Sequence, residues 1–233
     1  MLTTTGERDG ERVLTLRIDE ATIDAELVAE VESVLEDSMD PGADTVVFHF
    51  AGCADSIAGG FPTWQCAGGR SDMRYFARWD QVLARISRLR AKTLTAYDRR
   101  VGAAAVQVGF VTDLRLASAE TRLSMGSLSE GSFPGMGAYW LPKFVGLGNA
   151  RRIFLIGADL TAACATQLGL IDFVDHTAEA AVEAAIKALR PVNPEAACFT
   201  RRLLDDSYVL EQAAATELAK AARYKVGMPT HNG

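Results

Sequence analysis

The stretch that decides the fold is residues 92–118, which read KTLTAYDRRVGAAAVQVGFVTDLRLAS. Thr93 to Tyr97 is typical of a strand. Gly102 to Phe110 is small, apolar and free of proline, which predicts a tightly packed buried helix. Leu114 to Ala117 then predicts another short strand. A strand, a buried helix and a second strand in this order indicate an α/β unit.

The same alternation of strand and helix continues on both sides of this stretch. No internal repeat and no low-complexity linker interrupts it, so the sequence predicts an α/β core over residues 1–176 and a helical region over 177–233. The further strands are predicted at Val13–Ile18, Val46–Phe50, Arg122–Met125 and Ile171–Val174. The further helices are predicted at Ala21–Asp37, Ser71–Arg90, Tyr139–Val145, Ala150–Ile156, Thr161–Leu168, 177–190 and 194–225.

The composition is that of a globular protein. The chain has 233 residues, 48% of them hydrophobic and 23% charged, which excludes disordered, collagen-like and coiled-coil classes. No apolar run approaches eighteen residues, so no membrane span is expected. Because Met1–Arg12 is polar and charged, we expect no secretory signal and a cytoplasmic protein. The four cysteines form no C-x-x-C pair and match no zinc spacing, so we expect reduced thiols and no metal.

Charge is distributed unevenly along the chain. The net charge is −6, residues 1–50 carry −10, and residues 70–100 carry nine basic against three acidic residues. A basic stretch within an acidic protein suits a phosphorylated small ligand or an acidic partner. A solvated helix face explains the same stretch equally well. The acidity of the whole chain argues against nucleic-acid binding.

Two glycine- and alanine-rich turns follow predicted strands. The first is Ala58-Gly59-Gly60, and the second is Gly102-Ala103-Ala104-Ala105, which opens the buried helix. Backbone N–H groups at such positions lack intrahelical partners. Two that converge form an oxyanion hole, which stabilises negative charge on a carbonyl oxygen. Each turn alone is a weak signal, because glycine turns after strands are common.

The order of several motifs resembles the crotonase superfamily, which contains the enoyl-CoA hydratases and isomerases. With the Ser56–Gly60 loop and the N-terminal strands, the resemblance covers most of the chain. Lys92–Tyr97 is similar to the family's K-P-V-I-A-A strand, Asp113–Ser118 to D-I-R-I-A-S, Phe133–Ala138 to I-P-G-A-G-G, Leu141–Gly146 to L-P-R-L-V-G, and Ala165–Ile171 to A-L-R-I-G-L-V.

The resemblance implies a spiral of ββα units with a C-terminal helical trimerisation region that packs outside the core. It also implies a substrate that is an acyl-CoA or acyl-carrier-protein thioester, so that coenzyme A or phosphopantetheine enters as part of the substrate and no separate cofactor is needed. The implied oxyanion-hole donors are the N–H groups of Ala58 and Ala104. The implied substrate-binding residues include Gly59, Gly60, Tyr97 and Gly135.

The departures from the family pattern concern acid–base chemistry. Hydratases use two glutamates to activate water, and these positions fall on Gln107 and Ser127 in this sequence. Glutamine cannot take a proton from water at neutral pH, and serine needs a neighbouring base to do so. We therefore expect both residues to contact substrate without acting as bases. Glu130 is either a displaced catalytic base or a solvent-facing carboxylate.

Two branches of the superfamily are similar to this sequence. Decarboxylases of bacterial polyketide β-branching also lack the glutamate pair, and Arg70 and Arg74 lie in the region where that branch has a cationic residue. Two surface arginines would give the same pattern. The accessory homologues of dihydroxyphenylacetyl-CoA synthesis, which assist a polyketide synthase, are similar in length. The sequence therefore predicts a lyase or isomerase of antibiotic or polyketide biosynthesis, with a non-catalytic accessory protein as the alternative.

Overall fold

The computed structural model describes residues 1–8, 10–19, 23–37, 43–52, 60, 73–126, 135–157, 159–206 and 217. The strands are β1 (Leu2–Arg8), β2 (Glu11–Ile18), β3 (Thr45–Ala51), β4 (Lys92–Asp98), β5 (Arg100–Val101), β6 (Leu114–Ser118), β7 (Arg122–Leu123), β8 (Leu160–Thr161) and β9 (Phe173–Asp175). The helices are α1 (Ala25–Asp37), α2 (Met73–Ile86), α3 (Ala103–Phe110), α4 (Gly137–Ile156), α5 (Ala162–Gln167), α6 (Ala178–Leu189) and α7 (Pro194–Asp206).

A six-stranded sheet in the order β1-β2-β3-β4-β6-β9 forms the centre of the fold. Only the β1–β2 pair is antiparallel, and the other neighbours are parallel. All seven residues of β3 are buried. Such uninterrupted burial is typical of a parallel strand that is covered on both faces.

Helices cover the two faces of this sheet. Val46, Phe48 and Phe50 of β3 belong to the main core cluster, which also contains side chains from α1 to α5. Alternate residues point to the opposite face, where Val47 belongs to a second cluster with Ile186 of α6. The prediction that the helices from residue 177 onward pack outside the core is therefore wrong for α6, which covers one face of the sheet.

The strands succeed one another in one direction across the sheet, which excludes a doubly wound nucleotide-binding fold. Strands β5, β7 and β8 form a separate three-stranded sheet. Two turns of the chain, β4-β5-α3 and β6-β7-α4, place one strand in the large sheet and one in the small sheet before the next helix. The predicted spiral of ββα units is confirmed.

The sequence predicted one local feature of this fold and missed another. The predicted break between two helices near residue 146 lies at Gly146, whose φ of 76° interrupts α4. Strand β1 was not predicted, because all seven of its residues are exposed and it has no apolar face. Its pairing with β2 comes from backbone hydrogen bonds at the sheet edge.

Candidate active site

The carboxyl ends of β3 and β4 meet at a close backbone contact. The Gly52 N–H donates to the Asp98 carbonyl at 3.0 Å. A Cβ at position 52 would lie 2.3 Å from the Arg100 carbonyl oxygen, so only glycine fits. The chain therefore leaves β3 directly beside the turn that leads into α3.

Helix α3 begins at this point without a side-chain cap. Its N-cap residue is Gly102, and the Val106 N–H donates to the Gly102 carbonyl at 3.1 Å. All eight residues of α3 are buried. Within the described ranges, no carbonyl accepts from the Ala104 N–H. A buried helix start with unpaired donors, reinforced by the helix dipole, is suited to binding a negatively charged oxygen.

Gln107 lies one turn further along α3 and is fully buried. Its Oε1 accepts a hydrogen bond from Trp79 Nε1 of α2 at 3.2 Å. Its Nε2 would lie 3.3 Å from a Cβ at Gly137, the first residue of α4. Helices α2, α3 and α4 thus meet around one neutral carboxamide, at the position where the resemblance places a hydratase glutamate.

Tyr97 lies beneath α3. Its side chain is buried, its hydroxyl donates to the Ala105 carbonyl at 3.4 Å, and its ring lies 6.5 Å from that of Phe50. Burial raises the pKa of the Tyr97 hydroxyl, so that it remains a neutral donor. These contacts support α3, and the predicted contact of Tyr97 with substrate stays a prediction.

The remaining predicted site residues are only partly described. Ala58, Gly59, Arg70, Ser127 and Glu130 lie outside the described residues. Arg74 belongs to the first turn of α2, and its side chain is likewise outside the description.

Two of the predicted glycines are described. The Gly60 carbonyl accepts from the Ile23 N–H at 2.9 Å, which ties the end of the loop to the residues before α1. Gly135, with a φ of 50°, accepts from the Ala138 N–H at 3.2 Å in the turn that opens α4. Gly135 therefore shapes the approach of α4 to Gln107.

A polar cluster at the amino ends of β4 and β6 was missed by sequence reasoning. Arg201 of α7 donates to Asp113 at 2.5 Å and to Thr93 Oγ1 at 3.0 Å. Lys92 forms a buried ion pair with Glu11. These partners are 81 to 108 residues apart in the sequence, so no local pattern could have paired them. Asp113 also accepts from the Thr93 N–H at 2.7 Å.

A pocket of about 570 Å³ lies beside this polar cluster, on the far side from the start of α3. Its walls come from the end of α3, from β6, α4 and α7, and they include Phe110, Trp140 and Phe144. Among the described residues that line it, none is a predicted site residue. The candidate active site and this pocket are therefore separate features.

Comparison with known proteins identifies the family. Residues 11–228 match the family model described as enoyl-CoA hydratase/isomerase. The chain belongs to the enoyl-CoA hydratase/isomerase family. The family acts on acyl-CoA thioesters, and the resemblance deduced from the motifs is confirmed.

A curated relative, an enoyl-CoA-hydratase of Amycolatopsis orientalis, is 26% identical over 149 residues, which are 63% of this chain and 69% of that protein. An enoyl-CoA hydratase from Bacillus halodurans superposes with a TM-score of 0.78 at 19% identity, covering 98% of this chain and 96% of that chain. A polyketide biosynthesis enoyl-CoA hydratase from Bacillus subtilis gives 0.73 at 18% identity, covering 97% and 90%. These structural likenesses confirm the predicted crotonase fold.

Among the described residues, no helix has the length and hydropathy needed to cross a bilayer. Cys164 and Cys198 are free thiols.

Proposed function

We propose that this protein binds an acyl-CoA or acyl-carrier-protein thioester and stabilises its enolate, leading to decarboxylation or double-bond isomerisation. The thioester oxygen would accept hydrogen bonds from the N–H groups of Ala104 and Ala58. The observation that carries this proposal is the uncapped start of buried α3, with Gln107 one turn away. The site thus offers donors for an oxyanion and a neutral amide in place of a base.

The proposed chemistry needs little acid–base machinery. In decarboxylation, the bond to the carboxylate carbon breaks, carbon dioxide leaves, and the electron pair moves onto the thioester oxygen as the enolate forms. A proton from water then completes the product. Oxyanion-hole donors supply about 3–4 kcal/mol of transition-state stabilisation in comparable sites. Arg70 and Arg74 are the proposed cations for the departing carboxylate, and Glu130 is the proposed acid or base for an isomerisation.

The proposed setting is bacterial secondary metabolism, in the cytoplasm, with the protein assembled as a homotrimer or larger oligomer. The similarity to a polyketide biosynthesis enoyl-CoA hydratase supports this setting. The missing glutamates also fit the alternative of an accessory homologue that has lost catalysis and assists a polyketide synthase.

The deciding experiment is mass spectrometry of the purified protein incubated with matched panels of acyl-CoA and acyl-carrier thioesters. Loss of carbon dioxide or migration of a double bond supports the proposal. Binding without turnover of any thioester, together with stimulation of a polyketide synthase, supports the accessory role and contradicts the enzymatic one.

Crotonyl-CoA serves as the negative control in the same panel. Without a positioned glutamate, hydration is expected to be roughly two to four orders of magnitude slower than with an acid–base pair. Fast hydration would contradict the proposal, and Glu130→Gln would then be the first variant to test.

A further inference from the structure

Three exposed arginines lie beside the start of α3. Arg99 and Arg100 follow β4 directly, and Arg122 begins β7. Arg100 lies opposite Arg122 in the parallel pairing of β5 with β7. The next residues, Val101 and Leu123, are buried, so the side chains of Arg100 and Arg122 share the open face of the small sheet. We call the three arginines the arginine patch.

The positive charge of this patch is only partly neutralised within the described part of the chain. Arg100 pairs with Asp159, with 3.0 Å between Nη2 and Oδ2. Among the described residues, neither Arg99 nor Arg122 has a side-chain hydrogen bond or ion pair, and the exposed Glu120 in the preceding turn pairs with neither. Like charges directly opposite on neighbouring strands repel. An anion from outside the chain would therefore stabilise the patch.

The backbone of Arg99 has an unusual conformation. Its φ of 58° lies in the left-handed region, and it is the only described residue other than glycine with a positive φ. The turn is held in place because the Arg99 carbonyl accepts from the Arg122 N–H at 2.7 Å. A left-handed conformation costs free energy for most residues but not for glycine. A guanidinium stands where folding alone favours glycine, which indicates a use for this side chain outside the fold.

The structure divides the basic stretch of residues 70–100 between the two ends of β4. Two exposed arginines, Arg88 and Arg90, precede the strand, whereas the arginine patch lies after it. The N-cap of α3, Gly102, is two positions after Arg100, so their Cα atoms lie at most about 7.6 Å apart. A molecule bound at the patch therefore lies beside the helix start that carries the proposed oxyanion donor.

The open face of a sheet fits a protein surface better than a small ligand. Small molecules bind in concave sites, and the described residues that line the pocket of about 570 Å³ include none of the patch. A guanidinium matches a carboxylate through two parallel hydrogen bonds, and arginine is enriched at protein interfaces. The patch therefore suits a partner that presents several carboxylates on its surface.

We infer that the arginine patch docks an acidic acyl carrier protein, so that the thioester reaches α3 on a carrier and not as free coenzyme A. This inference rests on the proposed function, because it assumes that the thioester carbonyl binds at the start of α3. Carboxylates of the carrier pair with Arg99 and Arg122, the two arginines without a partner among the described residues. Exposed charges of this kind act mainly on the rate of association and on its salt dependence.

The first test measures carrier binding by the anisotropy of a fluorescently labelled, malonyl-loaded acyl carrier protein. The double variant Arg99→Gly/Arg122→Ser is expected to raise Kd about three- to tenfold, the effect of losing two exposed ion pairs. Its Kd should also depend less on salt between roughly 50 and 300 mM NaCl. Because Arg99→Gly relieves the left-handed conformation, Tm is expected not to fall.

The matched control is Arg88→Ser/Arg90→Ser, which removes the same charge from the other end of β4. It is expected to bind the carrier protein like the wild type. Equal weakening by the two double variants, an unchanged Kd in the patch variant, or no carrier binding by the wild type overturns the inference.

The second test separates the inference from the proposed function and from other occupants of the patch. Calorimetric titration of the patch variant with malonyl-CoA is expected to give the wild-type affinity. An equal loss of affinity for malonyl-CoA would assign the arginines to its phosphates and overturn the inference, while the proposed function stands. A changed subunit number in light scattering would assign the patch to a second copy of this chain and overturn it as well. Carrier binding that depends on the patch, without turnover of any thioester, supports the inference although the proposed chemistry has failed.

Discussion

The two ends of the parallel sheet differ in how their polar groups are satisfied. At the amino end, Lys92 is paired with Glu11, and Arg201 donates to Asp113, to Thr93 and to the carbonyls of Leu89 and Ala91. At the carboxyl end, Asp98, Arg99 and Arg100 lie in the turn before α3, and Arg100 pairs with Asp159. Helix α3 itself carries no charged residue, and no described carbonyl accepts from the Ala104 amide. The charged groups at the amino end are thus internally satisfied, whereas the start of α3 has a donor for a ligand.

This difference shows why charged residues alone are a poor guide to the active site. A buried charge is tolerated only when it is paired and hydrogen-bonded, so buried ions are often purely structural. An oxyanion is stabilised by preorganised backbone dipoles, which carry no sequence signature beyond small side chains.

The largest expected effect is on the stability of the protein, through the charged cluster at the amino ends of the strands. Arg201→Met leaves the Asp113 carboxylate partly buried without its cation, and it removes donors to three backbone carbonyls. We expect the free energy of unfolding to fall by about 3–5 kcal/mol, measured by urea denaturation. Arg190→Met, at an exposed position, is the control and is expected to change it by less than about 0.5 kcal/mol. Equal effects of the two variants on the free energy of unfolding would contradict the structural role of the Arg201–Asp113 pair.

Gly52→Ala tests the close contact at the carboxyl end. The new methyl group would lie 2.3 Å from the Arg100 carbonyl oxygen, and a backbone atom cannot rotate away. We expect a loss of about 1–3 kcal/mol of stability and a larger loss of thioester turnover, because β3 and the turn before α3 must separate. Gly6→Ala, where no atom lies within 4 Å, is the matched control. Wild-type turnover in Gly52→Ala would show that this contact does not position the site.

Gly109→Ala tests the support of α3 by Tyr97. A Cβ at position 109 would lie 1.9 Å from the Tyr97 hydroxyl oxygen. We expect a destabilisation of about 1–2 kcal/mol from overpacking. In the double variant with Tyr97→Phe, part of this loss should be recovered, which a double-mutant cycle in urea measures. Strictly additive effects of the two substitutions would show that the Tyr97 hydroxyl is not the group that the added methyl group at position 109 overpacks.

The smallest expected effect concerns pH. Burial lowers the pKa of His49 below its usual 6.5, and the Glu179 carboxylate opposes this. Arg17 lowers the pKa as well, while Asp98 and Asp19 raise it. Because the unfolded state takes up the proton first, the contribution of His49 to stability is complete above pH 6.5 and is lost as the pH falls below it.

Unfolding curves of wild-type protein and His49→Gln between pH 7.5 and pH 5, a range chosen to span roughly the ordinary histidine pKa, check this prediction. The wild type should lose more stability than the variant over that interval. A wild type that gains stability on acidification would mean that Glu179 dominates over burial.

Sequence reasoning predicted the fold better than the site. The buried strands β3 and β4 and helix α3 have strong local patterns, so their positions were predicted to within one or two residues. The strand β1 has no apolar face, and the role of α6 depends on which sheet face the earlier helices leave open. The first is a missing local pattern, and the second depends on contacts outside the segment.

At the site, the motifs pointed to Ala104 and Gln107, but the partner of Gln107 could not be predicted. Trp79 lies 28 residues earlier in the chain, and its helical spacing is that of an ordinary core residue of α2. Its indole N–H contact with Gln107 follows from the packing of α2 on α3, which no sequence pattern records. The Arg201–Asp113 pair escaped prediction for the same reason.

The most direct test of the account is a crystal structure of the protein with a bound acyl-CoA thioester. We predict that the thioester carbonyl oxygen lies roughly 2.7–3.1 Å from the Ala104 nitrogen, with Gln107 on the same side of the ligand. A thioester bound elsewhere, or an Ala104 N–H that donates to a carbonyl of the protein itself, would contradict it.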